Sequence, residues 1–240
     1  MRIHLLILIG LIFNMSANDL IGQSTTNQTL VWAKYQNDLH ISEKLILSNE
    51  IESRNYVQHF RGHQRLLPAT TLIYKPNKDL ITGFGFTYFQ QFNPQDPNIK
   101  GVLNNEYRFL QLIEFSNSIS KLEVKTRVQI EERLIEAPNN KIDFSLRERF
   151  RFKLAFPLIS KDDKAILKAI IFDEIMVQQG AGLKFNIFDQ NRFGGGLSAR
   201  IKQNFQIETT LFNWYQQRPD LLGFYNRTIL SLSLIHSISL

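Results

Sequence analysis

Across residues 121–134 the chain alternates position by position. Leu122, Val124, Thr126, Val128 and Ile130 make one set, and Glu123, Lys125, Arg127, Gln129, Glu131 and Arg133 make the other. A period of two sends the sets to opposite faces of a strand, not along a helix. Residues 144–156 repeat the pattern, with Leu146, Phe150, Phe152, Leu154 and Phe156 against Arg147, Arg149, Arg151 and Lys153. Strands in soluble sandwiches run about 5–6 residues. At about 3.3 Å per residue the first of these reaches beyond about 40 Å, enough to cross a bilayer obliquely.

The rest of the chain divides the same way. Residues 23–29 are polar and read as a flexible start, and 30–36 read as a short strand with Val31, Trp32 and Tyr35. Residues 44–56 set Leu45, Leu47 and Ile51 against Ser48, Glu50, Glu52 and Arg54. A loop is expected at 59–64, then a strand at 65–75 whose Pro68 belongs near an end or a bulge, because it cannot donate to a ladder. In 80–90, Phe84, Phe86 and Tyr88 share one face and Gly83, Gly85 and Thr87 the other. Strands follow at 105–117, with Glu106, Arg108 and Glu114 on the polar face, and at 165–177, with Glu174. An irregular loop is expected over 178–191. Further strands are expected at 192–202, opening on Gly194, Gly195 and Gly196, at 205–217 and at 224–240.

Connections alternate short and long: short near Asn77, Ser118, Lys161 and Gln203, long near Arg61, Gln95, Asn139, Phe185 and Asp220. Outer-membrane barrels have this rhythm, with short periplasmic turns and longer outer loops. The expected fold is therefore all-β, an antiparallel up-and-down transmembrane β-barrel of about 10–12 strands. About eleven segments read as strands, whereas bacterial single-chain barrels have even strand numbers: either 30–36 does not span, giving about ten, or a further segment is to be added, giving about twelve, and the five long connections slightly favour ten. Glu132 and Glu148 fall on the apolar face but flank the connection at 136–141, at the rim, where charge costs less than at mid-bilayer.

Composition narrows the reading. The 240 residues suit one β domain, and Cys is absent, which excludes disulfides and thiolate-held metal. The net charge of +6 does not point to nucleic acid, because the basic residues are interleaved with carboxylates along alternating strands. Lipid phosphates are the expected anions. Arg2 and His4 precede the apolar run 5–13, followed by small and polar residues, as in an export signal. Residues 1–22 are read as a leader cut near Gly22–Gln23 or at Ala17, and 23–240 as the barrel. The location expected is the bacterial outer membrane.

Several motifs in order carry a resemblance: Trp32; Glu50-x-Glu52-x-Arg54; Asn105-Glu106-Tyr107-Arg108; Arg127-x-x-x-Glu131-Glu132-Arg133; Arg147-x-Arg149-x-Arg151; Asp173-Glu174; and Phe188-Asp189-Gln190-Asn191-Arg192. Together they resemble the DUF2490 family across essentially the whole chain after the leader. The resemblance implies a barrel-like outer-membrane protein of a kind found notably in Bacteroidetes. It implies no activity.

The candidate site is the charged inner face: Glu50, Glu52, Arg54, Glu106, Arg108, Glu123, Arg127, Glu131, Arg133, Arg147, Arg149, Arg151, Glu174 and Arg192. In a barrel of this size Arg and Glu from opposite walls can meet and satisfy one another as a salt-bridged plug. The expected role is structural or partner-binding. A narrow charge-lined channel is the alternative. Arg147, Arg149 and Arg151 have no carboxylate on their own inner face and must borrow Glu123, Glu131 or others. A lipid-modifying enzyme with a Ser–His–acid set is the third reading. It leans on His59 and His63, expected in an outer loop, because His40 and His236 lie toward the opposite end. No catalytic residue, cofactor or metal ligand is assigned. Gly194–Gly196 lack the Lys-Ser/Thr of a phosphate loop and read as the small-residue start of a strand. Phe212 and Trp214 read as core or rim packing, or as contact with a protein partner. Expected partners are outer-membrane lipid and, as a candidate, an envelope protein.

Overall fold

A computed structural model describes residues 24–57, 62–92, 102–161, 164–180, 187–218 and 222–240. The proposed leader and His59 lie outside them. Eleven strands form in chain order: β1 (Ser24–His40), β2 (Leu45–Tyr56), β3 (Gly62–Asn77), β4 (Leu80–Phe92), β5 (Val102–Ile119), β6 (Leu122–Glu136), β7 (Ile142–Lys161), β8 (Lys164–Gly180), β9 (Phe188–Lys202), β10 (Phe205–Gln217) and β11 (Gly223–Ser239). Each pairs with its sequence neighbours, and β1 pairs with β11 to close the barrel. All ladders are antiparallel except that closing one, which is parallel. Among the described residues no helix is long and apolar enough to cross a membrane, a statement that leaves strands untouched.

The eleven-strand count falls within the expected range of about 10–12 and overturns only the preference for an even number. It follows from β1, which is a full 17-residue strand and not a short one. Residues 24–29, expected as a flexible start, pair with β11 from Ser24↔Gly223 onward. Their polarity reflects a position at the barrel's rim, not an absence of structure. The expected loop over 178–191 also shrinks: β8 continues to Gly180 and β9 begins at Phe188. Other boundaries move outward by a few residues, because polar strand ends carry no alternation. Pro68 falls where the β3–β4 register shifts between Leu66 and Ala69, as a missing donor demands.

The ladders fix the barrel's geometry. Paired residues lead from His40 through Ile46, Ile73, Gly83, Leu112, Gln129, Arg149, Met176, Gln190, Gln216 and Tyr225 back to β1 at Thr26. The offset is 14 residues (40 − 26) over eleven strands. With about 3.3 Å per residue and about 4.8 Å between strands, that shear gives a tilt of about 40° and a radius of about 11 Å. Long side chains from opposite walls meet in such a lumen.

The two faces have inverted polarity. Outward residues are apolar and open, as at Phe84 (58% exposed), Phe115 (58%) and Leu211 (59%), whereas Glu131 (1%) and Arg227 (1%) are buried inside. Glu132 is exposed and Glu148 half-buried on the outer face, toward the long-connection end. An unanticipated third carboxylate, Asp173, lies on the apolar face of β8 and accepts from Asn191 Nδ2 at 2.7 Å. Gly194 and Gly196 sit in mid-strand, not at a strand start. A Cβ at Gly196 would run into the Thr209 carbonyl oxygen, and one at Gly194 into the Phe212 Cβ. Their small size lets β9 and β10 approach beside a buried aromatic side chain. Phe212 and Trp214 therefore face inward. They pack with Leu30, Trp32, Tyr56 and Ile229 in the largest apolar cluster of the lumen.

Candidate functional site

Strict alternation aims the even-numbered residues of β5 and the odd-numbered residues of β6 and β7 into one lumen, and register then sets which charges face each other. Arg108 lies opposite Arg133, and Arg127 opposite Arg151. Like charges directly across a ladder repel, and carboxylates are interleaved with them: Glu131 lies opposite Arg147, and Glu174 opposite both Arg151 and Arg192. Glu106 takes Arg108 Nε at 2.7 Å and Nη2 at 3.0 Å, and also Arg133. Glu131 takes Arg149 Nη1 at 2.6 Å, Arg147 Nη1 at 3.5 Å and Arg108 Nη1 at 3.8 Å. Gln129 donates to it at 2.7 Å. Glu174 takes Arg149 Nη2 at 2.9 Å, Arg127 Nη2 at 3.0 Å and Arg192 Nη1 at 3.7 Å. Arg147 Nε lies 2.7 Å from Asp189 Oδ2.

The three arginines of β7 thus borrow carboxylates from four other strands. Arg147 and Arg149 use Glu131, as their register implies. Arg151 turns to Glu114 at 3.4 Å, and Glu123 pairs instead with Lys168 at 2.5 Å. Glu52 pairs with Arg54, whose Nη1 also donates to Gln64 at 2.5 Å. Glu50 pairs with Lys34 at 3.6 Å. The fourteen candidate residues therefore occupy two tiers. Glu52, Arg54, Glu106, Arg108, Arg127, Glu131, Arg133, Arg147, Arg149, Glu174 and Arg192 build a dense upper plug. Glu50, Glu123 and Arg151 are more exposed and make a wetter tier, with Arg151 at its border with the plug, opposite Arg127.

That lower tier opens into a polar cavity of 140 Å³ lined by Lys125, Lys153, Lys168 and Arg200 against Glu123 and Glu208. Lys153 Nζ donates to Glu208 at 2.8 Å. The lining carries two more cationic than anionic side chains, so the cavity is a basic vestibule.

A third region lies at the head of the lumen. The Arg54 guanidinium sits 3.9 Å over Trp32, and Arg192 lies 5.2 Å from Trp32 and 5.1 Å from Trp214. Arg227 lies 4.4 Å over Trp214 and 4.2 Å over Tyr225. Arg227 donates to Gln28 at 2.7 Å and Gln216 at 2.5 Å, and no carboxylate lies in ion-pair range of it among the described residues. Ring faces are worth about 0.5–2 kcal/mol each to a cation, less than the several kcal/mol that burial costs it.

Sequence reasoning missed Arg227, although it shares the inward parity of Ser231 and Ser233. The leucines opposite dominate that strand's pattern. It also placed His63 in an outer loop. His63 is instead buried on β3, ring to ring with Tyr56 at 5.2 Å and Trp214 at 5.6 Å, because the strand begins at Gly62. His236 stacks on Phe205 at 4.2 Å near the short-turn end. No cluster of three or more His, Cys, Asp or Glu among the described residues could hold a metal ion.

Closed ladders, an apolar outside and an ionic inside define a closed β-barrel with buried salt bridges. The chain belongs to the DUF2490 family: a sequence model of that family, described as a protein of unknown function (DUF2490), matches residues 29–221. Comparison with curated proteins and with solved structures finds no match.

Proposed function

We propose that this protein is an outer-membrane β-barrel, delivered by the leader at 1–22, whose ionic lumen serves a structural or partner-binding role. The observation that carries the reading is the inversion of polarity. Large apolar side chains open outward while Glu106, Glu131, Glu174 and Arg147 are buried inside. Water would reward the opposite arrangement, whereas hydrocarbon outside and paired charges inside reward this one. Lipid is then the partner of the wall. An envelope protein presenting acidic groups would suit the basic vestibule.

The test is fractionation followed by planar-bilayer recording. The protein should sediment with outer membranes, require detergent for extraction, migrate faster on gels before heating than after, and pass no steady current. A detergent-free soluble monomer overturns the reading. The vestibule itself favours a second reading, a narrow channel, since it supplies a polar half-path into the lumen. That reading requires the plug around Glu131 to part, and it predicts current that rises when Arg149→Ala is introduced. The lipid-modifying enzyme keeps third place, since His63 is enclosed among aromatic rings, away from the outer rim it was expected to serve.

A further inference from the structure

We propose that the head of the lumen binds a small inorganic anion, of the chloride class, held by Arg227 with His63, Tyr225 and Trp214 around it. Arg227 is 1% exposed, and its hydrogen-bond partners are two neutral amides, Gln28 and Gln216. The remaining groups fit the same need. The His63 ring nitrogens, the Tyr225 hydroxyl and the Trp214 indole nitrogen are all buried and without hydrogen-bond partners. They are one cluster, because Trp214 is the common neighbour of His63 and Arg227, and Arg227 also covers the Tyr225 ring.

What this cluster lacks is an acceptor that carries negative charge. Indole N–H, phenol O–H and guanidinium N–H only donate or can all donate at once, and imidazole offers a further N–H. Water would satisfy the donors but leave the guanidinium unneutralised in a low-dielectric surrounding. An anion does both. The balance of the plug points the same way. Its enclosed guanidiniums, Arg54, Arg108, Arg127, Arg133, Arg147, Arg149, Arg192 and Arg227, outnumber the equally enclosed carboxylates Glu52, Glu106, Glu114, Glu131, Glu174 and Asp189 by two. The surplus collects on the aromatic side of the lumen, where Arg54, Arg192 and Arg227 lie over Trp32 and Trp214. This proposal concerns the closed lumen alone and stands whether or not the outer wall faces lipid.

The protein carries its own reporter, since its two tryptophans are Trp32 and Trp214. The purified barrel in detergent is titrated with chloride replacing gluconate at constant ionic strength, and tryptophan emission is followed. A saturable change is expected, abolished by Arg227→Gln. Where that variant does not fold, as judged by loss of heat-modifiable migration, Tyr225→Phe keeps the ring under the guanidinium and removes one donor. Its half-saturating chloride concentration should rise by about threefold or more. Crystals soaked in bromide should show an anomalous peak within hydrogen-bonding reach of Arg227. A wild-type emission that ignores chloride, a response unchanged in both variants, or no bromide peak beside Arg227 overturns the proposal.

Discussion

Glu174 is the carboxylate on which most of the upper plug turns, so Glu174→Gln is the sharpest perturbation of it. Three guanidiniums approach it, at 2.9 Å (Arg149), 3.0 Å (Arg127) and 3.7 Å (Arg192). At an effective dielectric near 20 each such contact is worth about 4–6 kcal/mol before desolvation is charged against it. Most of that gross attraction offsets the cost of burying the ions. What remains on removing one member of a buried pair is about 3–5 kcal/mol, because its partners stay behind uncompensated. Arg149 keeps Glu131, whereas Arg127 and Arg192 lose their nearest carboxylate. Glu123→Gln is the matched control. Its ion pair with Lys168 is similarly short, but it lies in the vestibule with more than a third of the side chain exposed. There the expected loss is at most about 1 kcal/mol. The assay is guanidinium unfolding of the detergent-solubilised barrel, read by emission of the buried Trp32 and Trp214. Equal losses in the two variants, or a loss below about 1 kcal/mol in Glu174→Gln, would refute the division into a dry plug and a wet vestibule. Adding Arg192→Leu to Glu174→Gln should recover part of the loss, since it removes one stranded charge.

Three further outcomes follow from particular contacts. Asp173→Leu should raise unfolding stability by about 1 kcal/mol in lipid or detergent, as an outward carboxylate in hydrocarbon costs more than its bond to Asn191 returns; a loss in the same denaturation curve would count against a hydrocarbon-facing wall. Gly196→Ala should cost at least about 3 kcal/mol or prevent folding, since the new Cβ meets a neighbouring carbonyl that cannot move without breaking the β9–β10 ladder; heat-modifiable migration reads it. In a chain without native Cys, Gln206→Cys in the vestibule should react with a charged maleimide while Met176→Cys in the plug stays protected, and equal labelling would mean the lumen is open.

Much of the barrel was legible because its signal has period two and is written over more than one strand. Residues 121–134 and 144–156 announce opposite faces so plainly that the inward charges of β6 and β7 follow at once. Residues 24–29 were not legible, because Thr, Asn and Gln at the rim carry no contrast between inside and outside. The preference for an even strand number failed with them, although eleven lies within the expected range of about 10–12. The pairing of Arg151 with Glu114 and of Glu123 with Lys168 was equally hidden, since alternation says which face a residue takes but not its height. Height depends on the 14-residue shear, a property of the closed structure. His63 was lost for a local reason: a His-Phe-Arg-Gly-His-Gln segment looks like a loop, yet Gly62 already lies in β3 and turns the imidazole inward.

The odd strand number has a structural consequence at the seam. With eleven strands β1 and β11 must run the same way, and a parallel ladder is slightly weaker per residue than an antiparallel one. The seam is reinforced on both faces. Inside, Leu30 lies opposite Ile229, both fully enclosed, and Arg227 bonds to its own ladder partner Gln28. Outside, Asn226 donates to its partner Asn27 at 3.0 Å. A slip of one residue would turn every inward side chain of β1 outward, and a slip of two would break both polar clasps at once. The register is therefore more tightly specified than the ladder alone requires. Ala33 and Leu232 are partners across it, at the spacing of about 4.8 Å between neighbouring strands that a disulfide tolerates. Ala33→Cys with Leu232→Cys should crosslink the two ends of the chain under mild oxidation, and Ala33→Cys with Leu230→Cys should not. A crosslink from the second pair alone would mean a seam slipped by two residues, and none from either would mean that β1 does not close the barrel.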